Sequence, residues 1–338
     1  MQMIFTAASA EAALCTRTRA SVGGPRLPLS KLTSPGAHLS PPRLPAKVTQ
    51  RQGVKVLRIS RRPNAMESAE ADSGGDVRTV WALDFDGMLC DSVGESALTA
   101  WKAALKLWPD VFGSPEAEAK KEEVIEGMRV ARPVIETGYE NIPMVRAILE
   151  GTSPTEMLKR WGAILPDLMA KYGLDRGEMV ELFGTTRDNW IKEDLAGWLA
   201  PNRFYPGIAE ATKVAFDDPN GAMYIVTTKQ ARFTETLMRD MASIPFPLEK
   251  IFSQTVSGRP KSEVLAMLQE RHPNAENYLF FEDKMGTLDK MAPMNEMSAW
   301  KLLLVDWGYN TEEERARAEA SPRIDLIGPQ QYAELMRK

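Results

Sequence analysis

An apolar run that stops at two carboxylates one residue apart, Thr79-Val80-Trp81-Ala82-Leu83-Asp84-Phe85-Asp86-Gly87, constrains the fold of this chain more than any other segment. Its β-branched and aromatic content and its shortness read as a buried strand. Side chains alternate along a strand, so Asp84 and Asp86 project to the same side at its C-terminal end, where open α/β sheets place their ligands. Gly87 lets the backbone turn away. Charges at the end of a central strand are costly unless something pairs with them, and a cation or a phosphate-handling site would do so. The plain alternative is one acid capping a turn and one in solvent.

After Ser92 the pattern turns helical for more than a hundred residues, with breaks at Gly113-Ser114-Pro115, Arg132-Pro133, Gly151-Thr152-Ser153-Pro154 and Gly173 that predict five or six helices. Ser153 and Glu156 have the spacing of a capping box. From Tyr205-Pro206-Gly207 onward, strands near Met223–Val226, Ile251–Phe252, Tyr278–Phe281, Leu302–Val305 and Ile324–Ile327 alternate with helices. Such alternation predicts an α/β fold: a Rossmann-like parallel sheet core, formed by residues 67–92 and 205–338, with an all-helical cap, residues 93–204, inserted after its first strand.

Charge divides the 338-residue chain unevenly. Residues 1–66 carry eleven Lys and Arg against the single acid Glu11, so the formal −4 less this segment's +10 leaves −14 for the remainder. The basic segment, rich in Ser, Pro, Ala and Thr, reads as a disordered organelle transit peptide, for a plastid before a mitochondrion, with a basic tail as the alternative. The acidic remainder argues against a nucleic-acid partner. No stretch approaches 18 uninterrupted apolar residues, which argues against a membrane span. The two cysteines, Cys15 and Cys90, fall on opposite sides of the expected cleavage, so no disulfide is expected in the mature chain. The histidines are His38 in the leader and His272, read as a solvated loop residue, so a Ser-His-Asp triad and a His-rich zinc site are excluded. Catalysis would rest on carboxylates, hydroxyls, Lys and Arg.

The later strand ends supply such groups: Thr227-Thr228-Lys229, then Gly258-Arg259-Pro260-Lys261, then Glu282-Asp283. With Asp84-Phe85-Asp86 these resemble, in order, the four motifs of the haloacid dehalogenase superfamily, over residues 79–290. The likeness is to its β-phosphoglucomutase-like and phosphoglycolate phosphatase-like branch. The segments Arg132–Asn141 and Val305–Asn310 look like those of plant and algal plastid members without an assigned substrate.

The resemblance implies that Asp84 is a nucleophile and Asp86 a general acid and base. It implies that Thr227 hydrogen-bonds the transferring phosphoryl group, that Lys261 balances its charge, and that Asp84, Asp86, Glu282 and Asp283 hold Mg2+. Independently, carboxylates about 4 Å apart repel by roughly 4 kcal/mol per pair at an effective dielectric near 20, so converging acids call for a cation, and oxygen ligands suit magnesium. The implied reaction is hydrolysis of a small phosphorylated metabolite through an aspartyl-phosphate, with Asp86 protonated near neutral pH. A phosphomutase, and a non-catalytic or regulatory protein binding a phosphorylated ligand or a protein partner, are the alternatives. The acid at Asp86 argues against carbon-halogen cleavage, since dehalogenating members lack it.

Departures from the motif pattern are Met88, Thr228, Lys261 standing after the Pro, and Lys284-Met285-Gly286. Arg259 therefore competes with Lys261 to neutralise phosphate. Lys229, Thr228 and Arg132 are further substrate-binding candidates. Arg129, Tyr139, Glu140 and Arg146 of the cap are weaker ones, each equally readable as a solvated face or an ion pair. Trp300 and Trp307 read as core or boundary aromatics.

Overall fold

The computed structural model describes residues 77–337. The expected transit peptide, with Cys15 and His38, lies outside them. Strand β1 (Thr79–Leu83) is buried along its whole length. After it come β2 (Cys90–Asp91), β3 (Arg203–Phe204), β4 (Gly221–Thr227), β5 (Ile251–Ser253), β6 (Asn277–Glu282), β7 (Trp300–Val305) and β8 (Ile324–Ile327). Six of them form one parallel sheet in the order β5-β4-β1-β6-β7-β8. From β1 the chain proceeds to β4 and β5 on one side, then returns to β6, β7 and β8 on the other. The direction reverses between β1 and β6, the position where open α/β sheets form a ligand crevice.

Both faces of the sheet are covered, which is why its strands read as continuous apolar runs. Trp81, Leu83, Met223, Ile225, Leu279 and Phe281 pack on one face. Val80, Ala82, Tyr224, Val226, Tyr278 and Phe280 pack on the other.

Between β2 and β3 lie only helices: α1 (Val93–Leu107), α2 (Pro109–Phe112), α3 (Pro115–Ala119), α4 (Lys121–Ala131), α5 (Asn141–Leu149), α6 (Pro154–Lys171), α7 (Arg176–Glu193) and α8 (Leu195–Leu199). Helices α1 to α7 share a separate apolar cluster that includes Trp101, Phe112, Trp161 and Phe183, whereas Trp198 of α8 packs in the cluster on one face of the sheet. Pairing of Cys90 with Phe204 and of Asp91 with Arg203 makes an antiparallel ribbon where this helical stretch leaves and rejoins the sheet. The helices number more than the predicted five or six because α2, α3 and α8 are single turns set off by Trp108, Lys120 and Asp194. Arg132-Pro133 ends α4, as read, and begins a 3-10 turn. The rest of the chain supplies α9 (Ile208–Phe216), α10 (Ala231–Asp240), α11 (Gln254–Ser257), α12 (Lys261–Arg271), α13 (Met285–Met291), α14 (Glu312–Glu319) and α15 (Pro329–Leu335).

Two local readings are corrected. The capping box does not form: Ser153 makes no side-chain cap, and Glu156 pairs with Arg160 one turn along α6. His272 is buried, not solvated: its Nε2 lies 2.7 Å from the Tyr224 hydroxyl at the end of α12.

Candidate active site

Asp84 follows β1 directly, and its backbone N–H donates to the Phe281 carbonyl of β6 at 2.9 Å. This draws the end of β1 against Glu282 and Asp283, which close β6. Asp84, Glu282 and Asp283 each offer a carboxylate oxygen within 4.8 Å of the others, and all three are buried. Lys261, from the first turn of α12, reaches in with Nζ 3.1 Å from Asp84 Oδ2 and 2.7 Å from Glu282 Oε2. Glu282 Oε1 accepts the Lys284 N–H, and Asp283 Oδ2 accepts the Tyr309 N–H. Two buried oxygens, Asp84 Oδ1 and Asp283 Oδ1, have no hydrogen-bond partner among the described residues.

Three carboxylates and one ammonium leave two negative charges, and the two open oxygens are the hard donors a divalent oxygen-seeking cation takes. The cluster therefore fits Mg2+. Burial and the neighbouring acids push the Glu282 carboxyl well above the usual range. Burial raises that of Asp283 to about 6, with Lys284 opposing and Asp84 reinforcing the rise. Lys261 is held charged, its burial outweighed by Asp84 and Glu282.

Two glycines let the chain close around Asp283. Gly87 has φ +86°, and a Cβ there would lie 2.0 Å from Asp283 Oδ2; one on Gly308 would lie 2.4 Å from Asp283 Cβ. The Tyr309 hydroxyl, which accepts from the Ser92 and Val93 N–H groups and donates to Asp91, ties this loop to the ribbon below the helical stretch.

Asp86 is placed differently from the expectation that it joins the metal-binding acids. Its Oδ1 accepts from Ser92 Oγ at 2.5 Å and Lys229 Nζ at 3.1 Å, so the acidic cluster consists of the other three residues. Burial favours its neutral acid, but Lys229, Arg132 and the Ser92 hydrogen bond outweigh it and hold the carboxyl below its ordinary value, a shift in the other direction from the one expected. The physical reason is a local counter-charge, which the crowd-of-acids argument omitted.

Asp84, Asp86, Arg132, Thr228, Lys261, Glu282 and Asp283 line one cleft of about 520 Å³. Asp86, Arg132, Thr228 and Lys229 also line an adjoining chamber of about 40 Å³, roofed by Tyr139, Phe183 and Arg187 of the helical stretch. Thr227 ends β4 fully buried and accepts the Lys229 N–H through Oγ1. Arg259 is not with them: its guanidinium is 3.3 Å from Met267 Sδ on α12, so the cation at the acids is Lys261 alone of the two. The turn at Gly258, φ +69°, carries the chain so that Arg259 lies outside the cleft and Lys261 inside.

Among the cap candidates, Arg132 enters the cleft, stacked 4.0 Å from the Tyr309 ring centre with Nε unpartnered. Tyr139 reaches only the smaller chamber. Arg129 pairs with Asp91 and Glu126, Glu140 caps a turn and takes the Trp161 indole N–H, and Arg146 pairs with Glu150. Trp300 is buried, and Trp307 donates to the Met88 carbonyl.

The sequence reading missed Lys284, Tyr309, Glu95 and Arg187. Lys284 lines the cleft and its ammonium donates to the Pro133 carbonyl, while burial and Arg132 lower its pKa. Glu95 and Arg187 form a buried pair with N–O distances of 2.7 and 2.6 Å. The available signal was an acid in the first turn of α1, a helix buried through Ala97, Thr99, Ala100 and Trp101.

No family model matches the chain, and no curated protein matches it. Solved structures similar to it include a predicted phosphatase from Clostridium acetobutylicum, 14% identical, covering 77% of this chain and 98% of that one with a TM-score of 0.47. A haloacid dehalogenase-like family hydrolase from Streptococcus pneumoniae is 14% identical over 77% and 98%, with a TM-score of 0.44. A predicted phosphoglycolate phosphatase from Haemophilus somnus is 15% identical over 78% and 99%, with a TM-score of 0.44.

Proposed function

We propose that this protein is a magnesium-dependent phosphatase that hydrolyses a small phosphorylated metabolite through an aspartyl-phosphate on Asp84. The observation that carries this reading is the pair of buried, unpartnered oxygens on Asp84 and Asp283 beside the Lys261 ammonium, at the mouth of a cleft. Asp84, Glu282 and Asp283 would hold the ion, which when bound supplies positive charge that offsets repulsion between a phosphate and these acids.

Asp84, with Lys261 Nζ 3.1 Å from its Oδ2, supplies the carboxylate that attacks phosphorus. Lys261 stabilises negative charge gathering on the phosphoryl oxygens. Thr227 offers its hydroxyl proton beside the reacting group. Asp86 protonates the leaving oxygen and afterwards takes a proton from the water that attacks the aspartyl-phosphate. An arriving phosphate dianion adds negative charge beside Asp86 and competes for Lys229, which raises its proton affinity at the moment of need.

The test is hydrolysis of p-nitrophenyl phosphate with and without Mg2+. Wild-type turnover should require the ion and vanish in Asp84→Asn; full activity in that variant removes the nucleophile. A second reading, a protein that binds a phosphorylated ligand without turning it over, is favoured by one observation, the hold of Ser92 and Lys229 on Asp86. Clear turnover of any phosphometabolite in a broad panel removes it, and isomerised sugar phosphate in place of free phosphate would mark a mutase. No described helix is long and apolar enough to cross a membrane. We place the protein in a plastid on the composition of residues 1–66, which import of the full chain by isolated chloroplasts would check.

A further inference from the structure

Glu95 lies outside the acidic cluster and has no place in the chemistry above, yet it is completely buried and takes every donor near it. Arg187 binds it through Nε and Nη2, the Thr99 hydroxyl at 2.6 Å and the Trp198 indole N–H at 3.0 Å. Its Oε2 also lies 3.8 Å from Lys229 Nζ. A buried carboxylate so fully satisfied is a fixed point. Lys229 follows β4 in the sheet, while Glu95, Thr99, Arg187 and Trp198 all belong to the helical stretch.

What hangs on that fixed point is the orientation of Asp86. Lys229, shielded from solvent along its side chain, spans from Glu95 to Asp86 Oδ1, the same oxygen that accepts from Ser92. Both protein donors therefore fall on Oδ1. Among the described residues no hydrogen bond falls on Oδ2, and Asp86 lines the cleft. We infer that Glu95 is a positioning residue: through Lys229 it holds Asp86 with Oδ1 occupied and Oδ2 turned to the leaving oxygen, so that the helical stretch sets the geometry of proton transfer. This rests on the phosphatase reading for the role of Asp86.

The test compares kcat/KM for two esters with Mg2+ present. p-Nitrophenolate departs without needing a proton, whereas the alkoxide of glycerol 2-phosphate must be protonated as it leaves. General acid catalysis is worth on the order of 10² to 10⁴ in rate, so misaligning the acid should cost the alkyl ester on the order of 10-fold or more. In Glu95→Gln the expected result is that loss with glycerol 2-phosphate and less than about 3-fold with p-nitrophenyl phosphate. Asp86→Asn should show the same selectivity in stronger form.

Glu95→Gln strands the buried Arg187 charge, so Glu95→Gln with Arg187→Met removes the pair together and should show the same selectivity. Thr99→Val, which takes one donor from Glu95 and strands no charge, keeps the test open should both unfold. Equal losses on the two esters, or none on either, in the folded variants overturn the positioning role while leaving the phosphatase reading intact. If the wild type hydrolyses neither ester, that reading fails instead. The crystal structure of the Glu95 variant then decides the inference: separation of Lys229 Nζ from Asp86 Oδ1 supports it, and an unchanged contact refutes it.

Discussion

Replacing Gly87 with Ala tests whether the loop after β1 was shaped to admit Asp283. Two costs can be worked from the structure. The residue sits at φ +86°, a conformation that costs an L residue with a Cβ roughly 1–2 kcal/mol. The new Cβ would also fall 2.0 Å from Asp283 Oδ2 and 2.5 Å from the Tyr309 ring, where ordinary contact begins at 3.4 Å. Overpacking of a tight site costs about 1–3 kcal/mol, so the total is about 2–5 kcal/mol. At roughly 2–4 °C per kcal/mol for a unit of this size, Tm should fall by roughly 4–20 °C. The alternative relief is for the Asp283 carboxylate to swing away, which spares Tm and weakens Mg2+ binding. Calorimetric Tm and a Mg2+ titration together capture both routes. In Gly87→Ala with Asp283→Ala the clash with the carboxylate is gone, so the two losses should fail to add by about 1 kcal/mol or more. A Gly87→Ala protein with wild-type Tm and wild-type Mg2+ affinity would refute the reasoning.

Four further outcomes are expected. Mg2+ should raise Tm, by about 2.7 kcal/mol of stabilisation at a concentration a hundred times its Kd, and Asp84→Asn or Asp283→Asn should shrink that rise. Without metal, Asp283 has a folded-state pKa of about 6 against an ordinary 3.8, so it favours the folded state below the lower value and loses that contribution as pH rises to about 6. The Tm of the wild type relative to Asp283→Asn in EDTA should therefore fall across that window, and a flat difference would contradict it. Lys261→Met should abolish phosphatase activity while Arg259→Met leaves it within about 2-fold, because only Lys261 reaches the acids; the reverse order would reinstate Arg259. Tyr309→Phe strands the Ser92 N–H, leaves the Val93 N–H only its 3.2 Å bond to Asp91 Oδ1 and takes a donor from Asp91, at a cost of about 1–3 kcal/mol readable in urea unfolding.

The sheet was legible because its strands are buried on both faces and so stand out as apolar runs; β1, β4, β6, β7 and β8 contain or coincide with the stretches read from sequence. Asp84, Glu282 and Asp283 were legible for a related reason, being polar residues at the ends of such runs. His272 was misread because it meets Tyr224, forty-eight residues away, in the folded chain, and local composition carries no trace of that contact. The three single-turn helices were missed because elements so short have no period to read.

Sequence alone determined that acids, a hydroxyl and a lysine stand at the ends of successive strands, since patterning sets where strands stop and a parallel sheet brings their C-terminal ends to one edge. It also located the long helical stretch that interrupts the sheet. Only tertiary structure decided how those groups divide. Asp84, Glu282 and Asp283 gather around Lys261 with two oxygens open, while Asp86 turns to Ser92 and Lys229 and, through Lys229, to Glu95 of the helical stretch. That division depends on which counter-charge a side chain meets across the fold. Neither the spacing of the two aspartates nor the burial of their strand encodes it, and so two acids one residue apart acquire different partners and different work.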